Sequence, residues 1–176
     1  MKKEKTTIYI VRATLILLTI LTFAFVIRNG VASGEVSAQQ SHAVTETVQE
    51  VVGTIDPESP IATATGAEFD LLHACVREFA HFFEYFLLAA FSFGSFLSFA
   101  EKGKWRFAFL PPCFVGATIA LDECLQSAVD GRAGQLLDAM VDAVGACCGT
   151  LLALLVFFAV RWIVFRLGDM RSKEAV

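Results

Sequence analysis

Residues 139–160 read AMVDAVGACCGTLLALLVFFAV, and Asp142 carries the only full charge among them. A membrane-spanning helix needs roughly 20 mostly apolar residues, because the hydrocarbon layer is about 30 Å thick and each helical residue rises about 1.5 Å. The stretch is long enough, and it must be helical, since lipid offers no partner for free backbone N–H and C=O groups. The sequence therefore predicts a transmembrane helix here.

Three further stretches meet the same criterion, at residues 8–27, 79–100 and 105–121. Of the 176 residues, 56% are hydrophobic and 18% are charged, whereas soluble domains average about 45–50% and about 25%. This composition excludes a disordered chain, a coiled coil and a water-soluble enzyme fold. We predict an all-α protein, an integral membrane four-helix bundle, with a kink at Pro111 and Pro112 inside the third helix.

Basic residues predict how this bundle is oriented. Most of them flank the start of the first helix, lie between the second and the third, or follow the fourth: Lys2, Lys3, Lys5, Arg12, Lys102, Lys104, Arg106, Arg161, Arg166, Arg171 and Lys173. Because basic residues favour the cytoplasmic side, both termini are expected to be cytoplasmic. The predicted organisation is an N-terminal transmembrane helix at residues 1–30, an extracytoplasmic loop at 31–76, a three-helix membrane core at 77–165 and a cytoplasmic tail at 166–176.

The N-terminal part of the chain leaves two alternatives open. A basic start, an apolar stretch and Val36-Ser37-Ala38 together resemble a cleavable signal peptide. The distance from Arg12 to Ala38 is long for such a site, which favours a retained membrane anchor. Between Ser37 and Val52 the apolar residues have helical spacing, which fits either a short helix on the membrane surface or a solvated linker.

Ionisable side chains are costly within a bilayer, and here they concentrate at the outer ends of the second, third and fourth helices. Arg77, His81 and Glu84 share one helix face, at positions i, i+4 and i+7. Asp122 and Gln126 are one turn apart on the third helix, and a tight turn at Asp130-Gly131 holds Arg132 near the membrane surface.

On the fourth helix, Asp138 and Asp142 share a face with Gly145 and Gly149, a pair of small residues that lets another helix approach closely. We therefore expect a polar pocket at the outer face of the membrane. Its predicted ligand-binding residues are Arg77, His81, Glu84, Tyr85, Glu123, Gln126, Arg132, Asp138 and Asp142. The structural alternative is that these groups pair with one another and only fix the helix packing.

Three strings of residues resemble, in order and spacing, the VanZ-like family of small bacterial membrane proteins. The family pattern reads Arg-x-x-x-His-Phe-x-Glu-Tyr, then Glu-x-x-Gln with a Gly-Arg turn, then Asp-x-x-x-(Asn or Asp)-x-x-Gly-x-x-x-Gly. The chain supplies Arg77, His81, Phe82, Glu84 and Tyr85, then Glu123, Gln126, Gly131 and Arg132, then Asp138, Asp142, Gly145 and Gly149. Glu78 and Asp130 depart from the pattern, at positions where a basic residue and a proline are frequent.

The resemblance implies a multi-pass protein of the bacterial cytoplasmic membrane, with a role in resistance to glycopeptide antibiotics of the teicoplanin type or in cell-envelope homeostasis. The first functional hypothesis is a non-enzymatic protein that binds membrane lipids, a lipid-linked peptidoglycan precursor or a lipoglycopeptide. Arg77, Arg132 and His81 would then hold phosphate or carboxylate groups. The alternative is an integral membrane enzyme in which His81 with Glu84 or Glu123 performs acid–base chemistry on a lipid-linked cell-wall substrate.

A third hypothesis, a transporter, requires a polar pathway through the inner halves of the helices, and the inner halves of the second and fourth helices, residues 87–100 and 151–160, contain no ionisable residue. A metal site is a variant of the enzyme hypothesis, with candidate ligands His81, Glu84, Glu123, Asp138 and Asp142. The sequence offers no second membrane histidine, so no metal is predicted.

No cofactor and no nucleic-acid partner are expected, and no particular oligomeric state is predicted. Cys75 and Cys124 lie at one level and either form a disulfide or remain reduced.

Overall fold

The computed structural model describes residues 2–100, 104–129 and 136–174. In this part of the chain all regular structure is helical: α1 (Lys2–Gly30), α2 (Gly34–Ile55), α3 (Ala67–Phe99), a 3₁₀ turn (Lys104–Phe107), α4 (Leu110–Ala128) and α5 (Leu136–Glu174). Four segments are long and apolar enough to cross a membrane, namely Thr6–Gly30, Ala67–Phe99, Trp105–Ala128 and Leu136–Arg166. The predicted all-α, four-span architecture is confirmed.

Helix α3 lies at the centre of the bundle, where it packs against each of the other four helices. A small core of Val26, Tyr85, Leu88, Ala89 and Val115 joins α1, α3 and α4. Most other apolar side chains of the spanning helices face outward, which suits helices whose surroundings are lipid. The buried contacts that hold the bundle together therefore lie along α3.

Two contacts show which helix ends lie together. The Arg12 guanidinium donates hydrogen bonds of 3.0 and 2.8 Å to the carbonyl oxygen of Ser98. Trp105 packs against Phe157, with ring centroids 5.9 Å apart. The start of α1, the end of α3, the start of α4 and the later part of α5 thus share one end of the bundle. Because successive spans alternate in direction, the opposite end collects the polar residues and is called the polar end below.

The segment after α1 is a helix rather than a solvated linker. α2 begins after Ser33, whose hydroxyl accepts a hydrogen bond from the Val36 N–H and so caps the helix. Its Thr45 is fully buried, and the Ser41 hydroxyl forms a 2.6 Å hydrogen bond with His73 Nε2 of α3. α3 has 33 residues and is about 50 Å long. It is therefore longer than the hydrocarbon layer is thick, and α2 packs against its N-terminal part.

The kink predicted inside the third span is wrong. Pro111 and Pro112 lie in the first turn of α4, directly after the 3₁₀ turn. The first backbone N–H groups of a helix have no intrahelical acceptor, so proline costs little at this position. The proline pair therefore starts a helix, and α4 runs from Leu110 to Ala128.

Candidate functional site

Five polar side chains from three helices meet inside the polar end. His81 and Tyr85 come from α3, Asp122 and Gln126 from α4, and Asp142 from α5, and none is more than 9% exposed. Gln126 Nε2 donates a 2.8 Å hydrogen bond to Asp122 Oδ2, and His81 Nδ1 lies 3.7 Å from Asp142 Oδ1. We call these residues the buried polar cluster.

Glycines allow the helices that carry this cluster to approach closely. A Cβ atom at Gly145 would overlap the carbonyl oxygen of Phe82, and one at Gly149 would overlap that of Phe86. α5 therefore lies directly on the backbone of α3, which brings Asp142 to His81. A Cβ atom at Gly30 would likewise overlap the Asp122 carboxylate, so the end of α1 is a fourth helix in contact with the cluster.

The cluster is rich in carboxylates. Asp138, 4% exposed, precedes Asp142 by one helical turn, and Glu123 follows Asp122. Asp122, Glu123, Glu84 and Asp138 all lie close enough to Asp142 to interact with it electrostatically. Like charges in a medium of low dielectric repel strongly, so the arrangement requires protons or cations to offset the repulsion.

A cavity of about 330 Å³ lies beside the cluster, between the end of α1, α2 and α3. It is called the polar cavity below. Two guanidinium groups, hydroxyl and amide groups, an imidazole and a carboxylate line it together with apolar side chains: Phe25, Arg28, Asn29, Ser37, Gln40, Ser41, Val44, Val76, Arg77, Ala80, His81 and Glu84. Within it, Asn29 Nδ2 donates a 2.8 Å hydrogen bond to Glu84 Oε1. Arg77 Nη2 lies 3.1 Å from Glu78 Oε1.

The residues expected in one pocket occupy two neighbouring sites. Arg77, His81 and Glu84 line the polar cavity. Tyr85, Gln126, Asp138 and Asp142 are buried inside the bundle, and Glu123 is partly buried beside them. Arg132 and the adjoining Gly131 lie outside the described residues. His81 belongs to both sites, because it lines the cavity and also faces Asp142.

Sequence reasoning omitted Asp122 and the residues of α1 and α2 from the predicted ligand set. Asp122 is only 2% exposed, and its helical spacing of four from Gln126 was the signal that both face inward. Ser37 and Ser41 have the same spacing on α2 and both line the cavity. Arg28 and Asn29 had no motif of their own, so only the packing of α1 reveals their position.

The cysteines take no part in either site. All five, Cys75, Cys113, Cys124, Cys147 and Cys148, have free thiols, so Cys75 and Cys124 form no disulfide. Tyr85, one of the predicted ligand-binding residues, is fully buried.

Comparisons with known proteins agree with the resemblance found in the three motifs. The VanZ/LLP1 family model matches residues 13–158. This range contains α1 from Ala13 onward, α2 and all three polar motifs. No curated protein and no solved structure gives a match. Since the family model covers most of the chain and the helices that build both sites, the chain belongs to the VanZ/LLP1 family.

Proposed function

We propose that this protein binds the polar group of an envelope lipid, a lipid-linked precursor or a lipoglycopeptide in the polar cavity, at the outer face of the bacterial cytoplasmic membrane. Such binding would contribute to glycopeptide resistance of the teicoplanin type or to envelope homeostasis. The observation that carries the proposal is the cavity itself, which combines two guanidinium groups with apolar walls at one end of a membrane bundle.

The lining suits an anionic group attached to a hydrocarbon. Arg28 and Arg77 offer planar, permanently charged donors that match phosphate and carboxylate oxygens. Phe25, Val44 and Val76 supply the apolar part of the wall. The combination is typical of ligand sites, which are mostly apolar with a few polar groups that fix orientation.

The volume limits what can enter. At about 330 Å³ the cavity is near the lower end of the roughly 300–1,000 Å³ of small-molecule sites. It therefore accommodates a headgroup, such as a phosphate with part of a sugar, and excludes a whole lipoglycopeptide. The rest of the ligand would remain outside, in the membrane or at its surface.

Arginine variants test this proposal. We expect Arg28→Ala and Arg77→Ala to weaken binding of the preferred probe by about tenfold or more, because each removes a charged hydrogen-bond donor. Binding is measured on detergent-purified protein by native mass spectrometry with three probes: a polyprenyl phosphate, phosphatidylglycerol and teicoplanin. Growth in teicoplanin, at equal amounts of membrane-inserted protein, gives the cellular readout.

Arg106→Ala is the matched control, since Arg106 is an exposed arginine in the 3₁₀ turn at the opposite end of the bundle. It should leave binding and growth unchanged. If both cavity variants bound all three probes as tightly as the wild-type protein does, the polar cavity would be rejected as the binding site.

One observation favours a second candidate function, an integral membrane enzyme. His81 lines the cavity while its Nδ1 lies 3.7 Å from the buried Asp142 carboxylate. A carboxylate on one side of an imidazole orients the ring for acid–base work on the other side. Asp142 would then be the partner of His81, in place of Glu84 or Glu123. Turnover of a lipid-linked precursor by purified protein, abolished in His81→Gln, would support this candidate, and the absence of turnover would reject it.

A further inference from the structure

We propose that His81, Asp122 and Asp142 form a binding site for one divalent transition-metal ion, and that Zn²⁺ suits its donors best. The three side chains come from α3, α4 and α5, and all are buried. An ion at this point would join the three helices at the polar end. The proposal goes beyond lipid binding, because the ion would lie inside the bundle and needs no ligand in the polar cavity.

The spacing of the donor atoms supports coordination. One ligand atom from each residue lies within 4.8 Å of the others. Two ligand atoms of a tetrahedral zinc ion are about 3.4 Å apart, because Zn²⁺ binds imidazole nitrogen and carboxylate oxygen at about 2.0–2.2 Å and the ligands subtend about 109°. Small side-chain rotations would therefore bring all three donors into range.

An independent observation points to a missing cation. Asp142 is 0% exposed, and neither of its carboxylate oxygens has a hydrogen-bond partner among the described residues. In the same part of the chain, the one basic side chain with a nitrogen atom within 4.0 Å of it is His81, and the 3.7 Å from Nδ1 to the Asp142 oxygen is too long for a hydrogen bond. Buried carboxylates are normally hydrogen-bonded, paired or metal-bound, and metal binding would satisfy Asp142 here.

The donor set also indicates which ion. One imidazole with two carboxylates suits Zn²⁺, whereas Mg²⁺ and Ca²⁺ prefer oxygen ligands alone. Three protein ligands leave one position of a tetrahedral zinc ion open, as in catalytic zinc sites. The ligand set considered from sequence contained Glu84, Glu123 and Asp138 but not Asp122. Of these four carboxylates, only that of Asp122 lies close enough to both His81 and Asp142 to share an ion with them.

Zinc binding by the purified full-length protein tests the proposal. His42 and His73 are first replaced by glutamine, because their rings lie 5.9 Å apart and would bind zinc adventitiously. The protein is stripped with EDTA, dialysed against Zn²⁺ and assayed for zinc. We expect about one ion per chain. Asp142→Asn and His81→Gln should each weaken binding by about tenfold or more, since even groups that only support metal ligands are worth about 10–100-fold.

Asp138→Asn is the matched control. It removes the same charge one turn earlier on α5, from a residue outside the three-ligand group. It should retain one ion per chain, and Arg28→Ala in the polar cavity should do so as well. Equal loss of zinc in Asp138→Asn and Asp142→Asn would overturn the proposal, because a diffuse negative charge would then explain the binding. A zinc-free wild-type protein would overturn it too.

Cobalt supplies a second readout that does not depend on the yield of one variant. Co²⁺ bound by one nitrogen and two oxygens in a site of low coordination number gives visible d–d absorption. We expect that absorption in the wild type and its loss in Asp122→Asn and His81→Gln. Persistence of the absorption in both variants would place the ion elsewhere. These outcomes leave lipid binding by the polar cavity to be judged separately.

Discussion

Asn29 is the residue through which α1 reaches the polar cavity, and its hydrogen bond to Glu84 is 2.8 Å long. The bond joins the last turn of α1 to the middle of α3 across a partly buried site. A hydrogen bond to a charged group is worth about 1.5–3 kcal/mol. The pair therefore holds one wall of the cavity in place.

We predict that Asn29→Asp lowers the free energy of unfolding by about 2 kcal/mol, because two carboxylates would face each other. Adding Glu84→Gln should restore most of the loss, since the glutamine amide can donate to the new carboxylate. Glu84→Gln alone should have a small effect, because it keeps an acceptor oxygen for Asn29. Unfolding is followed by circular dichroism in detergent, and additive effects in the double variant would contradict the prediction.

At this scale the sequence predicted part of the site. Arg77, His81 and Glu84 could be assigned to one face because helical spacing fixes which residues point the same way. The same spacing does not say which helix the face meets. Arg28 and Asn29 belong to no motif, and their place in the cavity depends on how the end of α1 packs.

Helix α5 shows how two residues without side chains determine an element's position. Gly145 and Gly149 place α5 against the backbone carbonyls of Phe82 and Phe86 on α3. We predict that Gly145→Ala and Gly149→Ala each lower the free energy of unfolding by about 1–3 kcal/mol, because the added methyl forces the helices apart. Thermal unfolding in detergent measures the effect.

Gly116 of α4 provides the control for these two variants. A Cβ atom there meets nothing within 4 Å. Gly116→Ala should therefore stabilise the protein by roughly 0.5–1 kcal/mol, through helix propensity alone. If Gly145→Ala also stabilised the protein, the close approach of α3 and α5 would be wrong.

The elements themselves were predictable to different degrees. Long apolar stretches identify spanning helices because the bilayer demands them. The position of the proline pair is not predictable in this way, because a proline in the first turn and one in the middle of a helix look alike in sequence. For α2, spacing alone left a helix and a linker open, and the decision comes from tertiary contacts such as that between Ser41 and His73.

For the molecule as a whole, the number of spans follows from hydrophobicity, but the N-terminal extension of α3 does not. From sequence, residues 67–76 are expected in a loop, because Arg77 and Glu78 interrupt the apolar stretch that begins at Phe79. They remain helical because α2 packs on them and Phe69 stacks near His42 and His73. The polar cavity depends on this extension, since α2 forms one of its walls.

Membrane orientation is the property of the whole molecule on which the proposed function depends. Arg12 and Trp105 lie at the end opposite the polar cavity, and the basic residues concentrate at that end. Since basic residues favour the cytoplasm, we predict that the polar end faces outward.

In a cysteine-free variant, Ile55→Cys at the exposed end of α2 should react with a membrane-impermeant maleimide in intact cells. Phe165→Cys, exposed near the end of α5, should react only after permeabilisation, which also confirms that both thiols are reactive. The reverse pattern would place the cavity in the cytoplasm, where it could not meet a ligand in the outer leaflet.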